Sequence, residues 1–197
     1  MKTKKEPKKK TAIVQAADEL FRQFGFKKVT VEEICEMAGV SKMTFYKYFA
    51  NKNELIKYLW QKMINDSWAK LDELENNETS FQEKVQLILK LKEEATSTMG
   101  DQYIKDYLNI VPELQDFYNQ ILADVMQRFM KIIKLAQEKG EVRKTLRPEF
   151  FFAVVNQLME LTKNERLVDI YDNYTEFALE INNFLYYGLM PPPDEDR

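Results

Sequence analysis

The stretch from Thr30 to Lys52, TVEEICEMAGVSKMTFYKYFANK, constrains the fold more than any other part of the chain. Thr30 can cap a helix, and Glu33 follows three residues later, which is the spacing of a capping box. Ile34, Met37 and Ala38 share one face at helical spacing. Gly39 supplies the left-handed backbone that a sharp turn needs. Ser41 caps again, and Lys42 to Tyr48 forms a second short helix rich in donors and aromatics. The spacing predicts a helix-turn-helix whose basic second helix suits a DNA major groove.

Thr30, Val31, Ile34, Ala38, Gly39, Val40, Ser41, Thr44, Phe45, Tyr46, Tyr48, Phe49, Lys52 and Leu55 carry a further signal. With these residues the segment resembles the DNA-binding domain of the TetR family of bacterial transcriptional regulators. The resemblance covers roughly the first quarter of the chain; beyond it only size, helical character and position match. Cys35 stands where the family usually has alanine, a small-for-small change. Met43 stands where it often has glycine, which leaves base preference open.

The resemblance implies a role for individual residues. Positions matching Thr44, Tyr46, Tyr48 and Lys52 commonly meet the DNA backbone. Those matching Lys42, Met43 and Lys47 lie near base edges, and Thr30 matches a position that often reaches a phosphate. Ser41 completes the groove-facing set. Lysine suits guanine O6 and N7, and apolar groups suit the thymine methyl. Packing within the small domain is the other reading for Tyr46 and Tyr48. Phe45 and Phe49 point to the opposite side and belong to a core.

Charge supports a basic head. The net charge of -3 conceals a head, residues 1–52, at +6 and a remainder at -9. Such a head can present one end to phosphates while an acidic body disfavours the wrong face. The segment MKTKKEPKKK is expected to be disordered free in solution; it is either a groove- or phosphate-binding arm or a solubilising tail. Lys27 and Lys28 are further phosphate candidates.

Few glycines and prolines, 5 and 6 in 197 residues, favour an all-helical chain of about nine helices. Ile13, Ala16, Ala17, Leu20, Phe21 and Phe24 line a first helix from about Thr11. Asn51 with Glu54 opens a long helix bearing Leu55, Leu59, Met63 and Trp68. Ser80 with Glu83 opens another, and Gly100 breaks the chain before a short helix through Leu108. Pro112 starts a helix to about Lys139, apolar over a wide arc. Pro148 starts one to about Asn164, with Phe151, Val154, Val155, Leu158 and Leu161 in a stripe. Asn173 with Glu176 opens the last, with Phe177, Ile181, Phe184, Leu185 and Gly188 in its stripe. The expected division is a three-helix DNA-binding domain with its basic arm over residues 1–52. A helical effector-binding and dimerisation domain over 53–190 and a disordered tail over 191–197 follow.

In the resembled family the last two helices form a four-helix bundle across a dimer axis. This makes Phe151, Val154, Val155, Leu158, Phe177, Ile181, Phe184 and Leu185 interface candidates, unless they face the chain's own core. An effector cavity would draw on Trp68, Tyr103, Tyr107, Phe117, Tyr118, Met126 and Phe129, residues that equally suit ordinary core.

No catalytic reading arises. Absence of histidine removes the commonest general base and metal ligand. No nucleophile elbow, phosphate loop or metal-ligand spacing is present, so no enzyme activity, cofactor or metal is expected. The single cysteine excludes an internal disulfide, and no apolar run is long enough to span a membrane. A basic start without an apolar core after it gives no signal peptide, so the expected location is the cytoplasm. The resemblance implies a homodimeric transcriptional repressor on a pseudo-palindromic double-stranded operator, released by a small-molecule effector. The alternative is an interaction module whose body binds a protein or peptide without such an effector.

Overall fold

The structure, a computed structural model, describes residues 7–75 and 79–187. The expectations for the first six residues, for Gly188 and for the tail therefore lie outside the described residues. Ten α-helices and one 3-10 helix, and no strand, are found among the described residues. In order these are α1 Lys8–Phe24, α2 Val31–Met37, α3 Lys42–Tyr48, α4 Lys52–Glu75, α5 Phe81–Ser97, α6 Asp101–Leu108, α7 Pro112–Glu138, α8 Pro148–Glu160, the 3-10 helix Leu161–Lys163, α9 Glu165–Val168 and α10 Tyr174–Tyr187. The chain forms two compact units. One takes the chain through Trp68 together with Thr98–Asn119; the other takes Ala69–Ser97 and the chain from Gln120 on. This structural grouping runs past residue 52, because the start of α4, α6 and the start of α7 pack with the head.

In the first unit, α1 starts at Lys8, earlier than its pattern suggests, with Pro7 as its N-cap. Ile13, Val14, Ala16, Ala17 and Phe21 are buried, whereas Phe24 ends up 41% exposed. Ile13, Ala17, Ile34, Phe45 and Leu55 are all fully buried and form the small core under the helix-turn-helix. Both expected caps are present there. Thr30 and Glu33 make a full capping box, and Ser41 accepts from the Thr44 N–H. Cys35 fills its small buried position as a free thiol, and burial pushes that thiol up from its ordinary value.

An aromatic core extends this unit. Phe26 meets Phe21, Trp60 and Tyr103 edge-on, with centroids 6.5, 5.7 and 5.6 Å away. Trp60 also meets Tyr107 and Tyr118, which meet each other at 5.3 Å. In the first half of α4, Leu55, Ile56 and Trp60 are buried; Leu59, Met63 and Trp68 of that helix are half-buried.

Polar clamps fix α6 to the end of α1. Gly100 N–H donates to the Arg22 carbonyl at 2.8 Å, and Arg22 Nη1 donates to Thr98 Oγ1 at 2.5 Å. Asp106, 2% exposed, accepts the Lys27 backbone N–H at 2.7 Å and Gln102 Nε2 at 2.9 Å. A buried carboxylate is tolerated only when its oxygens are hydrogen-bonded, as these are.

In the second unit, Ser80 and Glu83 form the expected box at the start of α5. Phe129, Ile132, Ile133 and Ala136 of α7 are buried, and Phe129 lies against Phe151 and Phe152 of α8. Val168, Phe177 and Ile181 make a second cluster with Leu158, Leu167, Tyr171 and Tyr174 packed on it. Helix α8 stops at Glu160, before the expected end near Asn164, and its last turn tightens to 3-10. That over-winding leaves Leu161 38% exposed and buries Thr162 instead. The four-residue α9 is one more helix than the periodicity predicts, since a single turn has no period to detect.

Gly25 and Gly39 both have positive φ, 80° and 62°. A Cβ at Gly25 would lie 2.7 Å from Asp106 Oδ2 and Gln102 Cγ, while one at Gly39 meets nothing within 4 Å. Gly39→Ala should therefore cost about 1–2 kcal/mol, the strain of the left-handed backbone alone. Gly25→Ala should cost clearly more. Urea midpoints measure both, and equal shifts would remove the Asp106 contact as the reason for Gly25.

Candidate nucleic-acid interface

Two seven-residue helices, α2 and α3, make the site, joined through Gly39. Helix α3 is anchored from beneath. Phe45 is fully buried and Phe49, its C-cap, is 5% exposed. Phe49 packs on Tyr58 at 5.6 Å, and the Lys10 ammonium sits 4.0 Å over the Tyr58 ring. One side of α3 is therefore core, and its opposite side faces solvent.

On that open side stand Ser41, Lys42, Met43, Tyr46 and Lys47, all exposed. Met43 is 82% exposed and Tyr46 53%, unusual for large apolar or aromatic side chains in so small a unit. Thr44 and Tyr48 are half-buried at the rim. Tyr46 lies edge-on to Phe45 at 5.4 Å, which steadies its ring while its hydroxyl end stays open. Ser41 Oγ and Thr44 Oγ1 are 3.1 Å apart, so the first turn of α3 is ordered by its own side chains.

Thr30 and Lys52 sit at the ends of the site with local work of their own. Thr30 Oγ1 caps α2 and also donates to Glu33 Oε2 at 2.8 Å. Lys52 Nζ donates to the carbonyls of Lys27 and Val29 at 3.0 and 2.6 Å. Desolvation pulls the Lys52 ammonium below its ordinary value, against the nearby Asp106 and Glu33 carboxylates. Lys27 directs its own ammonium to the Asn109 carbonyl at 2.6 Å, a fixed use beyond the phosphate contact read from sequence. Glu32, not singled out by sequence, forms an ion pair with Lys42. Only its place in the first turn of α2 hinted that it could reach α3.

The effector-pocket candidates are distributed over both units. Tyr103, Tyr107 and Tyr118 lie in the aromatic core of the first unit. Phe117 in that unit lies under the Lys57 ammonium at 5.8 Å, and Trp68 of α4 is half-buried. Met126 and Phe129 belong to the second unit. Burial raises the Tyr103 hydroxyl above its ordinary value and Tyr107 well above it.

The interface candidates divide as well. Phe177 and Ile181 are buried in their own unit, while Phe151, Val154, Val155, Leu158 and Leu185 are half-buried and Phe184 is 51% exposed. An apolar groove of about 210 Å³ runs beside Phe184, with Leu158, Leu161, Tyr171 and Glu180 also in its wall. Among the described residues, no group of three His, Cys, Asp or Glu could hold a metal, and no helix is long and apolar enough to cross a membrane.

This arrangement is an all-α fold with an N-terminal helix-turn-helix head. Residues 13–59 match the family model of bacterial regulatory proteins, tetR family. That match covers the helix-turn-helix head, about a quarter of the chain. Among curated relatives, the HTH-type transcriptional regulator YhgD of Bacillus subtilis is 34% identical over 77 residues, 39% of this chain and 40% of YhgD. The HTH-type transcriptional regulator RutR of Escherichia coli is 42% identical over 60 residues, 30% of this chain and 28% of RutR. The matched part thus spans less than half of each relative. Over nearly the whole chain the fold is shared with FadR of Bacillus halodurans, at a TM-score of 0.71 and 21% identity, covering 95% of this chain and 98% of that one. It is also shared with FadR of Bacillus subtilis, solved with stearoyl-CoA, at 0.67 and 20% identity, covering 91% and 99%.

The capping box carries a pH signature. Glu33 accepts the Thr30 N–H at 2.7 Å, and this backbone bond, with the Thr30 hydroxyl second, holds its carboxyl below the ordinary value. A lowered folded value means the contribution is complete above the unfolded value and is lost as pH falls through the folded one. A carboxyl NMR titration should place Glu33 lower in the folded than in the urea-unfolded chain. Thr30→Ala should move it part of the way back; an unmoved midpoint would deny the hydroxyl any share.

Proposed function

We propose that this chain is a homodimeric transcriptional repressor of the bacterial cytoplasm, reading a pseudo-palindromic double-stranded operator and released by a small-molecule effector. The observation that carries the reading is α3 itself, a helix clamped by Phe45 and Phe49 whose open face offers Lys42, Met43, Tyr46 and Lys47. Lys42, Met43 and Lys47 meet base edges; Thr30, Ser41, Thr44, Tyr46, Tyr48 and Lys52 meet the backbone. Lys52 keeps one ammonium donor beyond its two carbonyl bonds for a phosphate. Residues 1–52 are the DNA-binding domain in this functional sense, and the rest is the effector-binding and dimerisation domain.

Two half-sites one helical turn apart call for a two-fold dimer. The exposed Phe184 and the groove beside it, with Phe151, Val154, Val155, Leu158 and Leu185 nearby, supply an apolar surface for a second copy. Effector release requires different affinity for two conformers of the body. The relative solved with stearoyl-CoA supports an effector-responsive reading and supplies the first ligand to test.

Anisotropy on the upstream promoter duplex against a scrambled one should show tight, salt-sensitive, selective binding by the wild type. Tyr46→Ala and Lys47→Ala should each weaken it by about 1.5–3 kcal/mol, the range of a hydrogen bond to a charged group. Operator affinity unchanged in both would refute α3 as the reading helix. Phe184→Asp should shift the mass in light scattering from two chains to one; a dimer of undiminished affinity would move the interface elsewhere. Added stearoyl-CoA should lower operator affinity if an acyl thioester is the effector.

A further inference from the structure

The first turn of α2 carries two adjacent acids with different fates. Glu33 is spent on the cap, where it takes the N–H and hydroxyl of Thr30. Glu32 takes no part in the cap; its carboxylate reaches across to α3 and pairs with the Lys42 ammonium. Both side chains are more than half exposed, 59% for Glu32 and 55% for Lys42. Lys42 opens α3, directly after the cap Ser41 and before the exposed Met43. The other lysine of α3, Lys47, has no ion pair of this kind among the described residues.

We infer that Glu32 is a specificity-determining residue of the DNA interface that acts by holding Lys42. This rests on the DNA-reading function proposed above. A free ammonium at the tip of α3 is drawn to any phosphate, whatever the sequence, because phosphate contacts position without specifying. Pairing with Glu32 offsets part of that pull and biases the ammonium toward α2. Lys42 then gains from DNA only where a base edge offers acceptors it can reach while paired, as guanine O6 and N7 do. A carboxylate at the same edge also suits the cytosine N4 amino group, so the pair matches a G·C edge in donors and acceptors together. Non-specific affinity falls, and discrimination rises. An exposed pair adds little to folding stability, so its removal leaves the head folded.

The test is a double-mutant cycle. Wild type, E32Q, K42Q and the double variant are titrated over a salt series. The probes are a duplex selected by the wild type from a random library and a scrambled duplex. E32Q should bind the scrambled duplex several-fold tighter, with a log–log salt slope steeper by about 0.9, one added phosphate contact. The ratio of selected to scrambled affinity should fall. In the K42Q background E32Q should change neither quantity, whereas in a K47Q background its effect should persist. The same gain in the K42Q background would mean a bulk charge effect and overturn the inference. An unchanged ratio in E32Q, with Tm like wild type, would overturn it too. A wild type that selects no duplex overturns the DNA-reading function itself, and this inference with it.

Discussion

The bond from the Lys27 backbone N–H to the buried Asp106 carboxylate holds the head in its shape. It fixes the loop between α1 and α2, which has no secondary structure of its own to do so. Lys52 then ties down two carbonyls of the same loop, so its main-chain groups are claimed from both sides. The loop leads directly into Thr30, whose cap sets where α2 begins. Since α2 and α3 are joined by one tight turn, the loop's position becomes the position of the exposed face of α3. Gly25 is required at the junction because any side chain there would displace the carboxylate that the arrangement depends on.

That dependence explains what the sequence disclosed and what it withheld. Both caps, the glycine turn and the buried Phe45 and Phe49 are encoded within a short span, where neighbours in sequence are neighbours in space. Asp106 meets Lys27 across a separation of 79 residues, and no local pattern announces such a pair. A trace was nevertheless present. Tyr103, Asp106 and Tyr107 share one face of α6, and an acid on an apolar face needs a partner. The end of α8 and the single turn of α9 failed for a related reason: tertiary packing of Thr162 and Val168, not periodicity, decides them.

The aromatic residues teach a different lesson. They are abundant in the middle of the chain, and within each unit many of them meet ring to ring. Trp60, Tyr103, Tyr107 and Tyr118 satisfy one another edge-to-face, and the Trp60 N–H finds the Tyr103 hydroxyl at 3.2 Å. Phe129 finds its partners in Phe151 and Phe152. Aromatic pairs gain from such geometry beyond the area they bury, so clusters form wherever helices allow them. Composition fixes how many rings must be housed; topology decides which rings meet, and only the second bears on a ligand.

The charge of the head follows from the same tension between affinity and selectivity. A basic head is attracted to every stretch of duplex, and genomic DNA offers vastly more wrong sites than right ones. Adding lysines raises affinity for both. An acid placed within reach of a lysine, as Glu32 is of Lys42, offsets part of that indiscriminate attraction. The acids at the start of α2 therefore have different partners: Glu33 secures where the helix begins, and Glu32 pairs with the first lysine of the next helix.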